Sequence, residues 1–204
     1  MKRQAETTIP TKHGIFSMIC YADKEDDPTP HIALVSENTN VSKTTLVRIH
    51  SECMTGDVFG SLRCDCGEQL DEALNIIGKQ GGIVVYLRQE GRGIGLINKM
   101  KAYNLQDHGY DTAEANIKLG FEVDARKFNI AVEILKDLGV SSLKLLTNNP
   151  IKIDSFKGSG IKMTGRVPLE VKPHKENEKY LRTKKEVMGH LIGSNNHSSI
   201  LSQQ

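Results

Sequence analysis

The run Ile83-Val84-Val85-Tyr86-Leu87, followed at once by Arg88-Gln89-Glu90-Gly91-Arg92-Gly93-Ile94-Gly95, decides the fold. An unbroken apolar run without polar alternation predicts a strand buried on both faces. The glycine-rich turn behind it leads into a helical stretch that reaches about Gln106. Strand, glycine loop and helix in that order suit an anion, because glycines let backbone N–H groups approach oxygens and a helix N-terminus adds partial positive charge. The loop is not a dinucleotide fingerprint, since Leu96 occupies the third glycine position, and the chain contains no P-loop pattern. A tight strand-to-helix turn would look the same. Arg88 and Arg92 favour the anion, because guanidinium forks match phosphate geometry.

Upstream of this unit, residues 13–20, 32–36 and 44–49 are short β-rich runs that predict strands of one sheet. From Glu68 the period changes. Leu70, Ala73, Leu74 and Ile77 share one helical face, and Gly81-Gly82 ends the helix. Downstream, 112–119 and 130–138 read as helices, the second stopped by Gly139, and Leu143–Leu146 as a strand entering the turn Thr147-Asn148-Asn149-Pro150. Alternating helices and strands predict an α/β fold, a mixed sheet flanked by helices, with α+β as the fallback. The polar stretch 193–204 reads as a disordered tail behind a single domain over 1–192.

A chain of 204 residues holds one domain with a substantial core and leaves no room for a second catalytic domain. No apolar run approaches the length needed to cross a bilayer, and a net charge of +2 gives no reason to expect a nucleic-acid or membrane coat. The start Met1-Lys2-Arg3-Gln4-Ala5-Glu6 has no apolar segment behind it, so a cytoplasmic location is expected. In a reducing compartment, clustered cysteines point to metal binding or catalysis rather than crosslinks.

Cys53, Cys64 and Cys66 form that cluster, with Cys20 apart. Zinc prefers thiolate and imidazole ligands in tetrahedral array, and three protein ligands leave the fourth position for water, as hydrolysis of a carbon–nitrogen bond requires. A closed structural site would need a fourth ligand, for which His50 is nearest. Three buried small hydrophobes are the bland alternative, less suited to a stretch interleaved with Arg63, Asp65 and Gly67. His50-Ser51-Glu52 matches half of a zinc deaminase signature, but the downstream half is missing. By spacing alone, Asp124 and Arg126 form a helix-flanking ion pair and Tyr103 a half-buried helix tyrosine.

Together, Arg48-Ile49-His50-Ser51-Glu52-Cys53, Thr55-Gly56-Asp57, Ser61 to Gly67, Arg88 to Leu96, Leu105 to Thr112 and Leu146 to Pro150 closely resemble the GTP cyclohydrolase II family. The resemblance runs from about Thr8 to Ile192. It implies zinc held by Cys53, Cys64 and Cys66, and GTP bound through Arg48, Ile49, His50, Ser51, Glu52, Gln69, Glu90, Gly91, Arg92, Thr112, Thr147 and Lys152. Asp124 is similar to the family's proton acceptor, Arg126 to the residue described as its nucleophile, and Tyr103 to the tyrosine associated with complete ring opening. An arginine has no free lone pair, so electrostatic stabilisation of phosphate is its easier role.

The reaction implied is hydrolytic opening of the GTP imidazole ring with release of formate and pyrophosphate, at the head of riboflavin synthesis. Magnesium is expected to arrive with the triphosphate, and the family suggests a homodimer. Two other readings stand beside this one. The first is a relative that stops at pyrophosphate removal or at the formylated intermediate. The second is a non-catalytic zinc module with His50 closing the site.

Overall fold

Seven strands form one mixed sheet in the computed structural model, which describes residues 1–191 apart from the side chains of residues 112 and 179. The expected tail over 193–204 lies outside the described residues. The strands are β1 (Lys2–Thr11), β2 (Gly14–Ala22), β3 (His31–Ser36), β4 (Thr45–Ser51), β5 (Ile83–Leu87), β6 (Ser142–Leu146) and β7 (Lys162–Val167), in the spatial order β1-β2-β3-β5-β4-β6-β7. β1 to β3 form an antiparallel meander that joins β5, whereas β5, β4, β6 and β7 run parallel. The α/β expectation is met.

β5 is buried on both faces, as its composition predicts. Ile83, Val85 and Leu87 enter the larger core, with Val47 and Ile49 of β4, while Val84 points to the opposite side with Phe16. On the first side α5 (Asn129–Asp137) inserts Ala131, Val132, Ile134 and Leu135. On the other, α2 (Cys66–Gln80) packs Ile77, Leu70 and Leu74 around Phe16. Burying each large apolar side chain contributes roughly 1.5–3 kcal/mol, so the two helices fix the sheet between them.

The remaining helices are α1 (Met54–Asp57), α3 (Gly95–Asp107), α4 (Thr112–Lys118), α6 (Pro150–Asp154) and α7 (Glu178–Glu186). α4 carries a capping box from Asp111 and Glu114. The expected turn at 147–150 leads directly into α6, because Asn149 caps that helix and Pro150 takes a first-turn position, where a missing N–H costs nothing.

Sequence periodicity missed β1, β7 and α7. β1 exposes most side chains on both faces and is held by its register against β2. A strand without a buried face carries no alternation to detect. Six of the nine residues of α7 are charged, so no apolar stripe announces it.

After β4 the chain crosses to β5 on one side, and after β6 it crosses to β7 on the other. The carboxyl edge between β4 and β6 is therefore a topological switch point, where open α/β sheets leave a crevice for ligands.

Candidate functional site

A cleft enclosing about 1020 Å³, its open mouth included, lies at that edge. β4 delivers Arg48, His50 and Ser51; side chains alternate along a strand, so Arg48 and His50 face α2 while Ile49 points into the α5-side core. Ile49 joins the site through its carbonyl oxygen, which accepts a 2.8 Å hydrogen bond from Lys152 Nζ.

Cys53 precedes α1, Cys64 follows it in a turn, and Cys66 opens α2. Their sulfurs all lie within 4.8 Å of one another, and Cys53 Sγ and Cys64 Sγ are 3.6 Å apart. Glycine makes that approach possible: a Cβ on Gly67 would stand 2.3 Å from the Gly56 carbonyl oxygen, and one on Gly56 would stand 2.9 Å from Cys64 Sγ. Hydrogen bonds from Cys64 and Cys66 hold the Cys53 thiol far below its usual range, while the contact with Cys53 pushes Cys64 up to about 11, and contacts with Cys53 and Cys64 push Cys66 well above the ordinary value. Negative charge thus gathers on Cys53, and three soft donors this close fit a thiophilic metal ion.

His50 does not complete this set. Its Nε2 lies 3.1 and 3.2 Å from the two carboxylate oxygens of Asp57, and its ring stacks on Tyr86 at 5.5 Å. Burial keeps the imidazole below its ordinary pKa. Among the described residues the metal-competent group comprises the three cysteines alone, which counts against a closed site with His50 as fourth ligand.

The glycine loop forms a 3-10 turn over Glu90–Gly93, in which Arg92 takes φ 62°, left-handed for a non-glycine residue. Such strain persists only where surrounding structure enforces it. Here the Arg92 carbonyl accepts from the Ala125 N–H at 3.1 Å, and Gln89 bonds both the carbonyl and the N–H of Lys127 at 2.8 and 3.1 Å. These contacts pin the 124–127 segment to the loop. Among the described residues, both terminal nitrogens of Arg92 are buried without a hydrogen-bond partner, an arrangement that suits an anionic ligand.

Arg126 forks onto Asp124, with Nε at 2.8 Å from Oδ1 and one terminal nitrogen at 2.5 Å from Oδ2. Burial opposes both charges, but the pairing outweighs it, holding Asp124 below the usual carboxylate range and Arg126 above its ordinary value. Arg126 reaches the cleft; Asp124 acts on it through Arg126. Burial also lowers Lys152, well below a normal lysine, with Arg48, Arg126 and Lys184 adding repulsion. Arg48 donates to the Leu146 carbonyl at 3.1 Å and to Gln69 Oε1 at 2.7 Å, and burial lowers its pKa to about 10.

The other expected residues divide by role. Ser51, Glu52, Gly91, Tyr103 and Thr147 line the cleft, and Arg88 pairs with Glu52 at 3.1 Å. Thr112 opens α4. Glu90 braces the loops: its oxygens accept from the Met54 N–H at 2.6 Å, the Gly91 N–H at 2.7 Å and Lys99 Nζ at 2.9 Å.

Sequence reasoning passed over Lys99, Tyr180, Lys184 and His190, and it gave Asp57 and Asp65 no role of their own. Lys99 donates to Cys53 Sγ at 3.1 Å and Thr55 Oγ1 at 2.9 Å. The one available signal was α3, which buries only Lys99 and Ala102 and so has no apolar stripe to explain its packing.

Fold and site define an α/β protein with a ligand cleft at the carboxyl edge of its parallel strands, where a thiol trio faces a bank of buried cations. The family profile for GTP cyclohydrolase II matches residues 2–168, and the chain belongs to that family. It is 51% identical over 202 residues to riboflavin biosynthesis protein RibBA of Chlorobium phaeovibrioides, covering 97% of this chain and 49% of that protein. It is 49% identical over 204 residues to the monofunctional riboflavin biosynthesis protein RIBA 3, chloroplastic, of Arabidopsis thaliana, covering 99% and 40%. Against RibBA of Salinispora tropica the identity is 53% over 191 residues, covering 93% and 48%. The chain spans about half the length of the curated relatives it matches, or less.

Proposed function

We propose that this protein hydrolyses GTP as a GTP cyclohydrolase II, opening the imidazole ring and releasing formate and pyrophosphate to give 2,5-diamino-6-ribosylamino-4(3H)-pyrimidinone 5′-phosphate, the first step of riboflavin biosynthesis. The observation that carries this reading is the meeting, in one cleft, of a metal-competent thiol trio with Arg48, Arg92, Arg126 and Lys152. Ring chemistry and phosphate chemistry then share one site.

Cys53, Cys64 and Cys66 would hold zinc, which would supply Lewis acidity to the base. Tyr103 stands close to the thiol trio, linked to it through Lys99, whose Nζ lies 5.6 Å from the Tyr103 ring centre and 3.1 Å from Cys53 Sγ. Burial raises the Tyr103 hydroxyl above its ordinary pKa, so it stays protonated and donates a hydrogen bond to the opening ring. Arg92, Arg126 and Lys152 bind the phosphates, which would bring magnesium with them. Arg126 stabilises charge on the α-phosphate, with Asp124 fixing the fork that presents it.

Residues 1–192 are read as one catalytic domain, cytoplasmic and homodimeric. No helix among the described residues is long and apolar enough to cross a membrane. Val58 and Phe59, 69% and 74% exposed beside the cysteine loop, support self-association.

The test follows formate and pyrophosphate release from GTP with and without a zinc chelator. Both products are expected, and chelation should stop formate. Pyrophosphate without formate would replace this reading with an activity that halts before ring opening.

A further inference from the structure

We propose that Lys184, delivered by α7, is a phosphate ligand of the nucleotide site. The inference rests on the reading of the cleft as a GTP site and adds a cation to it from beyond residue 168, where the match to the family profile ends.

Lys184 is 9% exposed, although its neighbours Lys185 and Glu186 are exposed. Burying an ammonium costs several kcal/mol unless its protons are taken up, so a buried lysine on a polar helix demands a reason. Its Nζ donates to Asp65 Oδ1 at 2.5 Å and lies 4.6 Å from the Tyr180 ring centre. Asp65 is not dedicated to this lysine: Oδ2 accepts from Gln69 Nε2 at 2.6 Å, and Gln69 in turn accepts from Arg48. One carboxylate oxygen satisfies one of three ammonium protons.

The surroundings supply the reason. Lys184 lines the same cleft as Arg48, Arg126 and Lys152, and like-charge repulsion from the other three falls on Lys152. Four cations converge where Asp124 and Asp65 are the paired acids. Such crowding is recovered when a polyanion enters, and a triphosphate has the charge to do so. The segment that follows α7 is anchored, since the Leu191 N–H donates to the Asn148 carbonyl at 2.9 Å, and the His190 N–H ties that segment back to the Lys184 carbonyl at 2.9 Å. Asp65 therefore keeps the ammonium at the cleft wall until phosphate oxygens compete for it.

The experiment measures binding of GTP, by rapid mixing before turnover, and of guanosine to the zinc-loaded full chain, for the natural protein, Lys184→Gln and Lys184→Arg. The glutamine keeps a donor for Asp65 but removes the charge. It should lose about 10- to 100-fold in GTP affinity with guanosine affinity unchanged, and arginine should recover most of the loss. Unchanged GTP affinity in Lys184→Gln overturns the proposal. So does an equal loss for both ligands, or loss of zinc, either of which makes Lys184 a structural partner of Asp65. If the natural protein itself binds no GTP, the failure belongs to the reading of the cleft and not to Lys184.

Discussion

Lys99 Nζ lies 3.1 Å from Cys53 Sγ, and the same ammonium reaches Thr55 Oγ1 and Glu90 Oε1, each at 2.9 Å. A cation so placed offsets the charge that the thiol trio gathers, and Cys53, Glu90 and Tyr103 raise the lysine above its normal pKa against the cost of burial. Lys99→Met keeps the length and removes the charge. Partners of metal ligands typically contribute 10- to 100-fold in metal affinity, and a loss of about that size is expected in competition with a chromophoric chelator. Equal zinc affinity in the two proteins would deny Lys99 this role.

Asp57 joins three groups: His50, the Cys53 N–H at 2.9 Å and the Tyr86 hydroxyl at 2.9 Å. Its side chain is 3% exposed, so Asp57→Ala strands several buried donors at once. A loss of about 3 kcal/mol in stability is expected from the midpoint of urea unfolding. A change under about 0.5 kcal/mol would mean that water replaces the carboxylate.

Cys53→Ser should abolish formate release and leave GTP binding largely intact, because the thiol trio serves the base while the cations serve the phosphates. Unfolding of this variant would instead assign the metal to the fold.

Lys152→Ala is expected to weaken GTP binding more than GMP binding, with the difference shrinking as salt is added. Its Nζ is buried against the Ile49 carbonyl, so the variant also tests whether that contact positions the charge. Equal losses for the two nucleotides would remove Lys152 from the polyphosphate.

His190 gives a pH dependence of definite sign. Burial, reinforced by Lys184, Arg126 and Lys152, lowers its pKa from 6.5 to about 4. The unfolded chain accepts a proton that the folded chain refuses, so the contribution is complete above pH 6.5 and is lost as pH falls towards 4. Unfolding midpoints measured from about pH 7 to about pH 4.5 should fall less steeply for His190→Gln than for the natural protein. His50, also depressed by burial, leaves a residual slope in both. Identical slopes would show that His190 is not buried in solution.

Much of the site was legible without coordinates because its signals are local. Cys64 and Cys66 stand one residue apart, the glycines after β5 mark a turn, and the faces of α2 and α5 follow from their periods. β1 was not legible, since an edge strand open on both faces obeys no periodicity, and α7 was not, since its charges look like a solvated surface.

The amino-acid sequence by itself determined the α/β alternation, the thiol trio and the arginine-bearing loop, each written in the type and spacing of neighbouring residues. Only the tertiary structure decided that His50 turns to Asp57 and away from the sulfurs, that Lys99 meets Cys53 and that Lys184 meets Asp65, a pair 119 positions apart. Those pairings depend on how the sheet order brings distant segments to one edge. A lysine on a helix carries no mark of whether that edge will leave it in water or enclose it beside a carboxylate.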